Sequence, residues 1–365
     1  MRDVIVVGGG VIGLSIAHAV AADGKSVLVL DSGQSTDASS WAAAGMLAPQ
    51  SEADRDGPLF QLCAASLHLY PDWTRKLQEQ SGVDPEYAEP GLIYVATSED
   101  SLEVLQRRMD WQSTAGFDSE LLTPDAIQRM EPHLTLPVVG GVYMPGEHRV
   151  TPRRLLEALR TACNVGRVEV RNGLNVRKLV RRGDRVEGVQ TDTETISAET
   201  VVIASGARTS EIEGLNPRLP VCPRKGQILS LTTPSLMFER LIRWEHVYLV
   251  QRGSGELVVG ATNEDAGFDR SLTPAGIGGL LNQVQQLSSC SSKFPIKEMW
   301  TGLRPATPDG LPVLDRAGEG LIYATGHYRN GILLAPVTAL IVSAIVANRP
   351  PPLPLEPFSA HRFDV

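Results

Sequence analysis

The sequence predicts a mixed α/β fold, in which a doubly wound sheet with helices is interleaved with a second, α+β domain built on an antiparallel sheet. Three observations support this prediction. The first 31 residues show the pattern of a strand, a glycine turn, a helix and a second strand. A β-branched run near residue 200 is typical of a buried parallel strand that returns to the same sheet. Elsewhere, short strand patterns separated by turns indicate an antiparallel sheet.

Length, composition and charge describe a large acidic chain. With 365 residues it exceeds the usual size of a single hydrophobic core, so we expect two domains. Hydrophobic residues make up 42% and charged residues 21%, which is typical of globular proteins without long disordered tracts. The formal net charge of −8 favours solubility and argues against a general affinity for nucleic acid.

The cysteines indicate neither a metal site nor a redox pair. Cys63, Cys163, Cys222 and Cys290 lie far apart, and none of them forms a CxxC motif. We therefore predict no bound zinc, and a reducing cytoplasm as the compartment.

An apolar segment near the N-terminus resembles a signal peptide or a membrane helix in composition. Residues 4–22 are nearly all apolar and follow Arg2. Three consecutive glycines, Gly8 to Gly10, would break such a helix in its centre. We therefore expect a glycine turn between a strand and a helix, and no membrane span.

The glycine turn carries a dinucleotide-binding motif in a Rossmann-like βαβ context. Gly8, Gly10 and Gly13 form GxGxxG, and Asp31 ends the next predicted strand. The first two glycines allow close approach to a pyrophosphate, and the third allows the helix to pack on the strand. The carboxylate of Asp31 can accept a hydrogen bond from a ribose hydroxyl, and the motif leaves NAD and FAD both open. The predicted contacts are Gly8, Gly10, Val11, Ile12, Gly13, Asp31 and Ser32.

Periodicity and turn signals place the remaining elements in order. Thr151 is a predicted N-cap with Pro152 at the first helical position, and Pro336 lies in the first turn of the last predicted helix. The predicted strands are 3–7, 26–30, 91–96, 168–171, 174–180, 185–191, 200–204, 226–232, 246–251, 255–260 and 320–325. The predicted helices are 11–22, 59–80, 99–115, 124–130, 152–162, 273–287 and 331–347.

The order of these elements predicts two interleaved domains. Residues 1–75, 151–220 and 303–365 are assigned to the dinucleotide-binding domain, and residues 76–150 and 221–302 to the substrate-binding domain. Ligand pockets often lie between domains, so we expect the site there.

Six motifs in the same chain resemble one enzyme superfamily. In order they are VIVVGGGVIGLSIA, ASSWAAAGML, VVIASGA, YLVQRGSGELVVGAT, WTGLRPATPDGLPVL and ATGHYRNGILLAPVTA. They resemble the FAD-dependent D-amino acid oxidase and sarcosine oxidase superfamily, and within it the glycine oxidases of thiamine biosynthesis, over nearly the whole chain. The resemblance favours FAD, because an NAD-linked dehydrogenase would leave the second and last motifs unexplained.

The resemblance assigns further residues to noncovalently bound FAD. Residues 39–46, most of which belong to the small-residue stretch 35–45, would lie along the flavin and its phosphates, and Val176 would contact the adenine through its backbone. The turn 327–333 would lie against the isoalloxazine ring, where the positive end of the following helix can stabilise the reduced ring. The residues so assigned are Ser39, Ser40, Ala44, Gly45, Met46, Val176, Gly206, His327, Tyr328, Arg329, Asn330, Gly331, Ile332 and Leu333.

The substrate carboxylate is assigned to Arg304, because a planar guanidinium can bind a carboxylate through two hydrogen bonds. By the same resemblance Tyr248 donates to this carboxylate, and Arg329 contributes to substrate binding. His246 is expected on the same strand face as Tyr248, two residues earlier. Asn263 stands where some glycine oxidases have methionine, which predicts a more polar pocket.

These features predict FAD-dependent oxidation of the C–N bond of glycine or another small amino acid, such as a D-amino acid or sarcosine. Hydride transfer without an essential general base would give an imino acid, which hydrolyses to an oxo acid and ammonia while oxygen is reduced to hydrogen peroxide. The resemblance further implies a homotetramer, and a role in the thiazole branch of thiamine biosynthesis with a thiazole-synthesis partner. Two alternatives stay open: a dehydrogenase that passes electrons to a quinone or another acceptor, and a flavin-binding protein without catalysis.

Overall fold

The structure is a computed structural model that describes residues 2–33 and 39–363. Residues 35–38 of the small-residue stretch therefore lie outside the described residues. No helix in the described ranges is both long enough and apolar enough to cross a membrane.

The strands are β1 (Arg2–Val7), β2 (Val27–Asp31), β3 (Met46–Leu47), β4 (Leu92–Ala96), β5 (Glu120–Leu122), β6 (Gly140–Met144), β7 (His148–Arg149), β8 (Glu169–Asn172), β9 (Val176–Arg182), β10 (Arg185–Thr191), β11 (Thr195–Ile203), β12 (Cys222–Thr232), β13 (Leu241–Trp244), β14 (Val247–Arg252), β15 (Glu256–Gly260), β16 (Ile296–Ala306), β17 (Val313–Gly318) and β18 (Leu321–Thr325). The helices are α1 (Val11–Ala22), α2 (Ser39–Ala42), α3 (Pro49–Glu52), α4 (Pro58–Ser81), α5 (Glu99–Thr114), α6 (Pro124–Met130), α7 (Pro152–Val165), α8 (Pro274–Leu287) and α9 (Ala335–Val346).

The first sheet is largely parallel and is centred on β1. Strand β1 lies between β2 and β11 and is parallel to both, and β8 and β18 extend the sheet in parallel on the two sides. Strand β17 pairs antiparallel with β18 at one edge, which gives the order β17-β18-β11-β1-β2-β8. The predicted returning strand 200–204 is thus largely contained in β11, next to the N-terminal βαβ unit.

Residues 4–7 of strand β1 are all apolar because both faces of the strand are covered there. Val4 and Val6 pack into a core with helices α1, α4, α7 and α9. Ile5 and Val7 point the other way, into a core that includes side chains of the β9–β10 hairpin. Helices therefore cover one face of the first sheet and a hairpin covers the other.

The second sheet is mostly antiparallel and has the order β16-β12-β15-β14-β13-β4-β6-β5. Its exception is the parallel pair β4 and β13. One face packs against α6 and α8, through residues such as Ile127 and Leu280. The opposite face packs against α2 and the segment after it, where Ala42 and Ala44 contact a core that includes Trp300. This second face looks toward the first sheet.

The chain crosses between the two sheets several times. The strands of the first sheet come from residues 2–31, 169–203 and 313–325, and those of the second sheet from residues 92–144 and 222–306. Strand β16 continues to Ala306, past the predicted boundary after residue 302. The domain boundaries themselves stay a prediction.

Most predicted elements recur with small changes in their bounds, and α1, α6 and β10 have the predicted bounds. The strands that were not predicted are β3, β5, β6, β7, β13, β16 and β17. Strand β16 contains Pro305, which lacks an amide donor, but β16 is an edge strand and tolerates it. Thr151 precedes α7 as predicted, yet its hydroxyl donates to Glu86 at 2.7 Å instead of capping the helix.

The last helix begins later than the sequence predicts. We expected a helix over residues 331–347, whereas residues 331–334 form turns and α9 begins at Ala335. Pro336 occupies the first turn of α9, where a missing amide donor costs no hydrogen bond. The positive end of the helix therefore lies about one turn beyond its predicted position.

Candidate active site

A cavity of about 740 Å³ lies between the two sheets and contains most of the residues assigned from the sequence. Gly8, Asp31 and Ala204, which follow or end β1, β2 and β11, line one side of it, and residues of the second sheet line the other. The carboxyl ends of parallel strands are the usual ligand-binding edge of such sheets. The assigned residues that line the cavity are Gly8, Gly10, Val11, Ile12, Asp31, Ser32, Ser39, Ser40, Ala44, Gly45, Met46, Val176, Gly206, His246, Tyr248, Asn263, Arg304, His327, Tyr328, Arg329, Asn330, Gly331 and Ile332.

Two assigned residues, Gly13 and Leu333, lie behind the cavity wall. A Cβ atom on Gly13 would be 1.9 Å from the carbonyl oxygen of Gly8, so glycine allows the close packing predicted for this position. The side chain of Leu333 is buried in the helical core, and its carbonyl accepts a hydrogen bond from Ser66 at 2.6 Å. Leu333 therefore supports the turn instead of lining the cavity.

The turn after β1 is shaped as a dinucleotide-binding turn. Gly8 has φ +110°, and a Cβ atom there would be 2.4 Å from the carbonyl oxygen of Ala204. The first turn of α1 lines the cavity and presents its amide end to it, and the Val11 amide donates to the Ser40 hydroxyl at 3.0 Å. Such a helix start binds phosphate groups well. These residues therefore fit the diphosphate of FAD.

Asp31 combines a structural role with the predicted ribose contact. One carboxylate oxygen accepts the Gly9 amide at 2.6 Å, and the other accepts the Gly33 amide at 2.8 Å. Each carboxylate oxygen has room for a second donor, so both can also receive a hydroxyl group. Because Asp31 and Ser32 line the cavity, this acceptor capacity is available to a ligand.

Residues 39–45 of the small-residue stretch lie close against strand β16 and the segment before α7, which explains their composition. Gly45 has φ +95°, and a Cβ atom there would be 1.9 Å from the carbonyl oxygen of Val150. The indole of Trp300 donates to the carbonyl of Ala42 at 2.9 Å, and the hydroxyl of Ser39 donates to a backbone carbonyl of β16. Helix α2 and the residues after it therefore form a fixed wall of the cavity.

The turn that precedes α9 is also held in place. The amide of Tyr328, which has φ +44°, donates to the carbonyl of Pro305 at 2.8 Å. His327 is buried, and its Nε2 lies 3.0 Å from the hydroxyl of Thr338. Burial lowers the pKa of His327 to about 3, so the imidazole is neutral at physiological pH. Since the lining ends at Ile332, the turn itself, and not the first turn of α9, faces the cavity.

Arg304 extends from β16 across the neighbouring strand β12. A Cβ atom on Gly226 would be 2.5 Å from both terminal nitrogens of the guanidinium, so only glycine leaves space for it. Nη1 donates to the carbonyl of Thr262 at 3.0 Å, which fixes the guanidinium plane. A guanidinium has five donors, so this bond leaves capacity for a carboxylate in the cavity.

Tyr248 is positioned in the same way, over a glycine on the neighbouring strand. It is paired with Gly260 of β15, and a Cβ atom on that glycine would be 2.3 Å from the phenol oxygen. Burial raises the pKa of Tyr248 and outweighs the opposite effect of Arg304 and Arg329 nearby. The phenol therefore stays protonated and can donate a hydrogen bond to an anion.

His246 does not lie on the strand face that the sequence predicted. It is in the two-residue turn between β13 and β14, and its side chain is exposed. Strand β14 begins at Val247, so His246 lies outside the strand, and the alternation of side chains that orients Tyr248 does not apply to it. His246 still lines the cavity. Asn263 follows β15, and its side-chain oxygen accepts a hydrogen bond from the Tyr328 hydroxyl at 3.4 Å.

Glu52 is a residue of this site that the sequence analysis did not identify. It ends the one-turn helix α3, lines the cavity, and forms ion pairs with Arg243 and with Arg329, whose Nε is 3.1 Å away. Burial alone would raise the pKa of Glu52, but Arg243 and Arg329 outweigh it and lower the pKa, so the carboxylate is charged. Arg329, predicted to bind the substrate, is thus already paired.

Comparisons with known proteins agree with this geometry. The model of the FAD dependent oxidoreductase family DAO matches residues 3–345. A bifunctional protein ThiO/ThiG from Nostoc sp. is 40% identical over 96% of this chain, which spans only about half of that relative (54%). A glycine oxidase from Geobacillus kaustophilus is 34% identical over 99% of this chain and 97% of its own length. The crystal structure of glycine oxidase from Geobacillus kaustophilus matches with a TM-score of 0.93 over 98% of each chain.

The comparisons confirm three predictions made from the sequence: the resemblance, the fold class and the cofactor. The helix start after the glycine turn suits phosphate groups and the Asp31 carboxylate suits a ribose hydroxyl, so the residues present fit FAD, and their individual contacts with it stay a prediction. The family model covers nearly the whole chain, and the residues of its motifs line one cavity. The chain therefore belongs to the FAD-dependent oxidoreductase family, and FAD is its cofactor.

Proposed function

We propose that this chain oxidises the C–N bond of glycine or another small amino acid to an imino acid, which water hydrolyses to an oxo acid and ammonia. Oxygen is reduced to hydrogen peroxide in the same cycle. The observation that carries the proposal is the placement of Arg304 and Tyr248. Each lies over a strand glycine and lines the cavity that also contains the dinucleotide-binding turn. Glycine oxidases that match nearly the whole chain support the proposal.

In this proposal, Arg304 and Tyr248 hold the substrate carboxylate. The guanidinium is fixed by its bond to the Thr262 carbonyl, and the protonated phenol adds a second donor. Two fixed donors orient the Cα–H bond, and positioning of this kind accounts for much of the rate of such reactions. When bound, FAD supplies the capacity to accept a hydride. No side chain has to remove a proton if the amine binds in its neutral form.

The experiment that tests the proposal measures product stoichiometry in air. The purified, flavin-containing protein is incubated with glycine, sarcosine or D-alanine, and oxygen consumption, peroxide, ammonia and oxo acid are measured. Oxidation of glycine predicts equal amounts of peroxide, ammonia and glyoxylate per oxygen consumed. Rapid reduction of a quinone or dye with little oxygen consumption would instead favour the dehydrogenase alternative. No turnover with any amine would contradict the proposal.

The cellular setting is part of the same proposal. The ThiO/ThiG relatives, of which this chain matches about half, support a role in thiamine biosynthesis and a thiazole-synthesis partner that uses the product. We also propose a cytoplasmic location and a homotetramer. Sedimentation of the purified chain tests the tetramer, and co-purification from cells tests the partner.

A further inference from the structure

A charged pair that the proposed reaction does not use lies at the substrate end of the cavity. The Oε2 atom of Glu52 is 3.1 Å from Nε of Arg329, and Oε1 is 3.4 Å from a terminal nitrogen of the same guanidinium. Arg329 is therefore held side-on by both carboxylate oxygens. Arg243 pairs with the same carboxylate from outside the cavity lining. Glu52 is thus shared by two guanidiniums, and the Arg329 donors that it accepts are not available to a second anion.

The backbone that carries Glu52 is fixed by buried polar groups. Glu147 is fully buried, and it accepts the Gln50 amide at 2.6 Å and the Ser51 hydroxyl at 3.0 Å. Arg108 donates to the Ser51 carbonyl at 2.7 Å. Moving this segment would leave several buried groups without partners, which is costly. Glu52 is thus held in the cavity wall and does not swing freely.

Arg304 and Arg329, the two arginines assigned to the substrate, are therefore not equivalent. Glu52 forms its ion pairs with Arg243 and Arg329, whereas the bond of Arg304 to Thr262 is to a neutral carbonyl. Of these two arginines, Arg329 is the one bound by a carboxylate, so the donors of Arg304 match one substrate carboxylate. A second carboxylate would approach the anion of Glu52 in a partly dehydrated cavity, where like charges repel more strongly than in water.

We propose that Glu52 restricts this site to amines that carry a single carboxylate, because it occupies the guanidinium of Arg329. The inference rests on the proposed function and adds a specificity-determining residue to it. Replacing Glu52 by a neutral side chain of similar size would release Arg329 and give the site a second available cation. The site would then accept ligands with two carboxylates.

Equilibrium binding of acetate and malonate tests this inference without turnover. Both anions are titrated into the flavin-containing protein by calorimetry and by the change in flavin absorbance. In Glu52→Gln the ratio of malonate to acetate affinity should rise by about tenfold or more relative to the unmodified protein. Adding Arg329→Gln to this variant should abolish the gain. An unchanged ratio in Glu52→Gln would overturn the inference.

A matched control is Glu298→Gln, which removes a carboxylate from a similar two-point pair with Arg153 at 2.8 and 3.1 Å, outside the cavity lining. Its affinity ratio should equal that of the unmodified protein. Arg329→Gln alone provides a test that does not require Glu52→Gln to fold. Acetate affinity should change by less than about threefold, because Arg329 is already paired. A loss of tenfold or more would overturn the inference.

The same variants separate this inference from the proposed function. Turnover of glycine and of iminodiacetate, an amine with two carboxylates, is measured alongside the binding titrations. If the anion ratio shifts but no variant oxidises any amine, the role of Glu52 stands and the proposed function fails. If glycine is oxidised but the ratio does not shift, the proposed function stands and the role of Glu52 fails.

Discussion

Replacing Gly226 by alanine is expected to damage substrate binding while the fold stays intact. The added Cβ atom would lie 2.5 Å from both terminal nitrogens of Arg304. Non-bonded heavy atoms are normally separated by about 3.5 Å, so the guanidinium must move by about 1 Å. Arg304 can move because its guanidinium is the end of a flexible side chain, so the cost in folding free energy is small. A misplacement of this size in a substrate-positioning group can reduce the rate by about 100-fold.

Steady-state kinetics with glycine, flavin content and thermal unfolding together test this expectation. For Gly226→Ala we expect kcat/KM to fall by about 10- to 100-fold, with unchanged flavin content and a Tm within a few degrees. Gly278→Ala is the matched control, because a Cβ atom there meets nothing within 4 Å. Its activity should be unchanged, and alanine should stabilise helix α8 by up to about 1 kcal/mol. An unaltered kcat/KM in Gly226→Ala would refute the assignment of Arg304 to the substrate.

Three further predictions follow from the cavity residues. Arg304→Ala should retain FAD while glycine affinity falls by about 10- to 100-fold through the loss of charged hydrogen bonds, and an unchanged affinity in a flavin titration would remove Arg304 from the carboxylate site. Asp31→Ala should lose FAD during purification or dialysis, because the ribose acceptor is gone, and a fully loaded variant would contradict that role. The third prediction concerns His327, whose pKa burial lowers to about 3 from 6.5. As the pH falls below 6.5, the imidazole of His327 takes up a proton in the unfolded chain but not in the folded chain. The free energy of unfolding should therefore decrease by up to about 1.4 kcal/mol per pH unit toward pH 4. In urea unfolding, His327→Gln should show a shallower pH dependence over this range, and identical slopes would mean that His327 is not held neutral.

The sequence predicted the structure best in short segments where the local backbone geometry requires particular residue types. The N-terminal strand, glycine turn and helix were predictable because Gly8 and Gly13 are required by close backbone approaches that any chain with this turn must have. The 124–130 helix was predictable because Thr123 and Pro124 form a standard helix start. Such signals are contained in short segments, so they do not depend on distant contacts.

The parts that were missed depend on distant contacts. Glu52 has no motif of its own, and it becomes part of the site because the fold brings Arg243 and Arg329 to it. His246 was placed on a strand because the short turn between β13 and β14 could not be recognised without β13 as a partner. Residues 331–334 continue the apolar pattern of α9, but they form turns whose core contacts, such as that of Leu333, are set by helix α4.

Two glycines within strands mark the substrate end of the cavity in the sequence. Gly226 and Gly260 both lie within apolar strand patterns, where glycine is otherwise unfavourable. In the structure each one accommodates a polar side chain from the neighbouring strand, Arg304 over Gly226 and Tyr248 over Gly260. A glycine inside a predicted strand can therefore indicate where a functional side chain crosses the sheet.

The most direct test of the proposed function is anaerobic reduction of the flavin by glycine. The absorbance spectrum of the purified protein should show bound, oxidised flavin, and glycine added without oxygen should bleach it. Readmission of air should restore the spectrum and release one peroxide per flavin. A protein that carries flavin but is not bleached by glycine, sarcosine or any small D-amino acid would contradict the account.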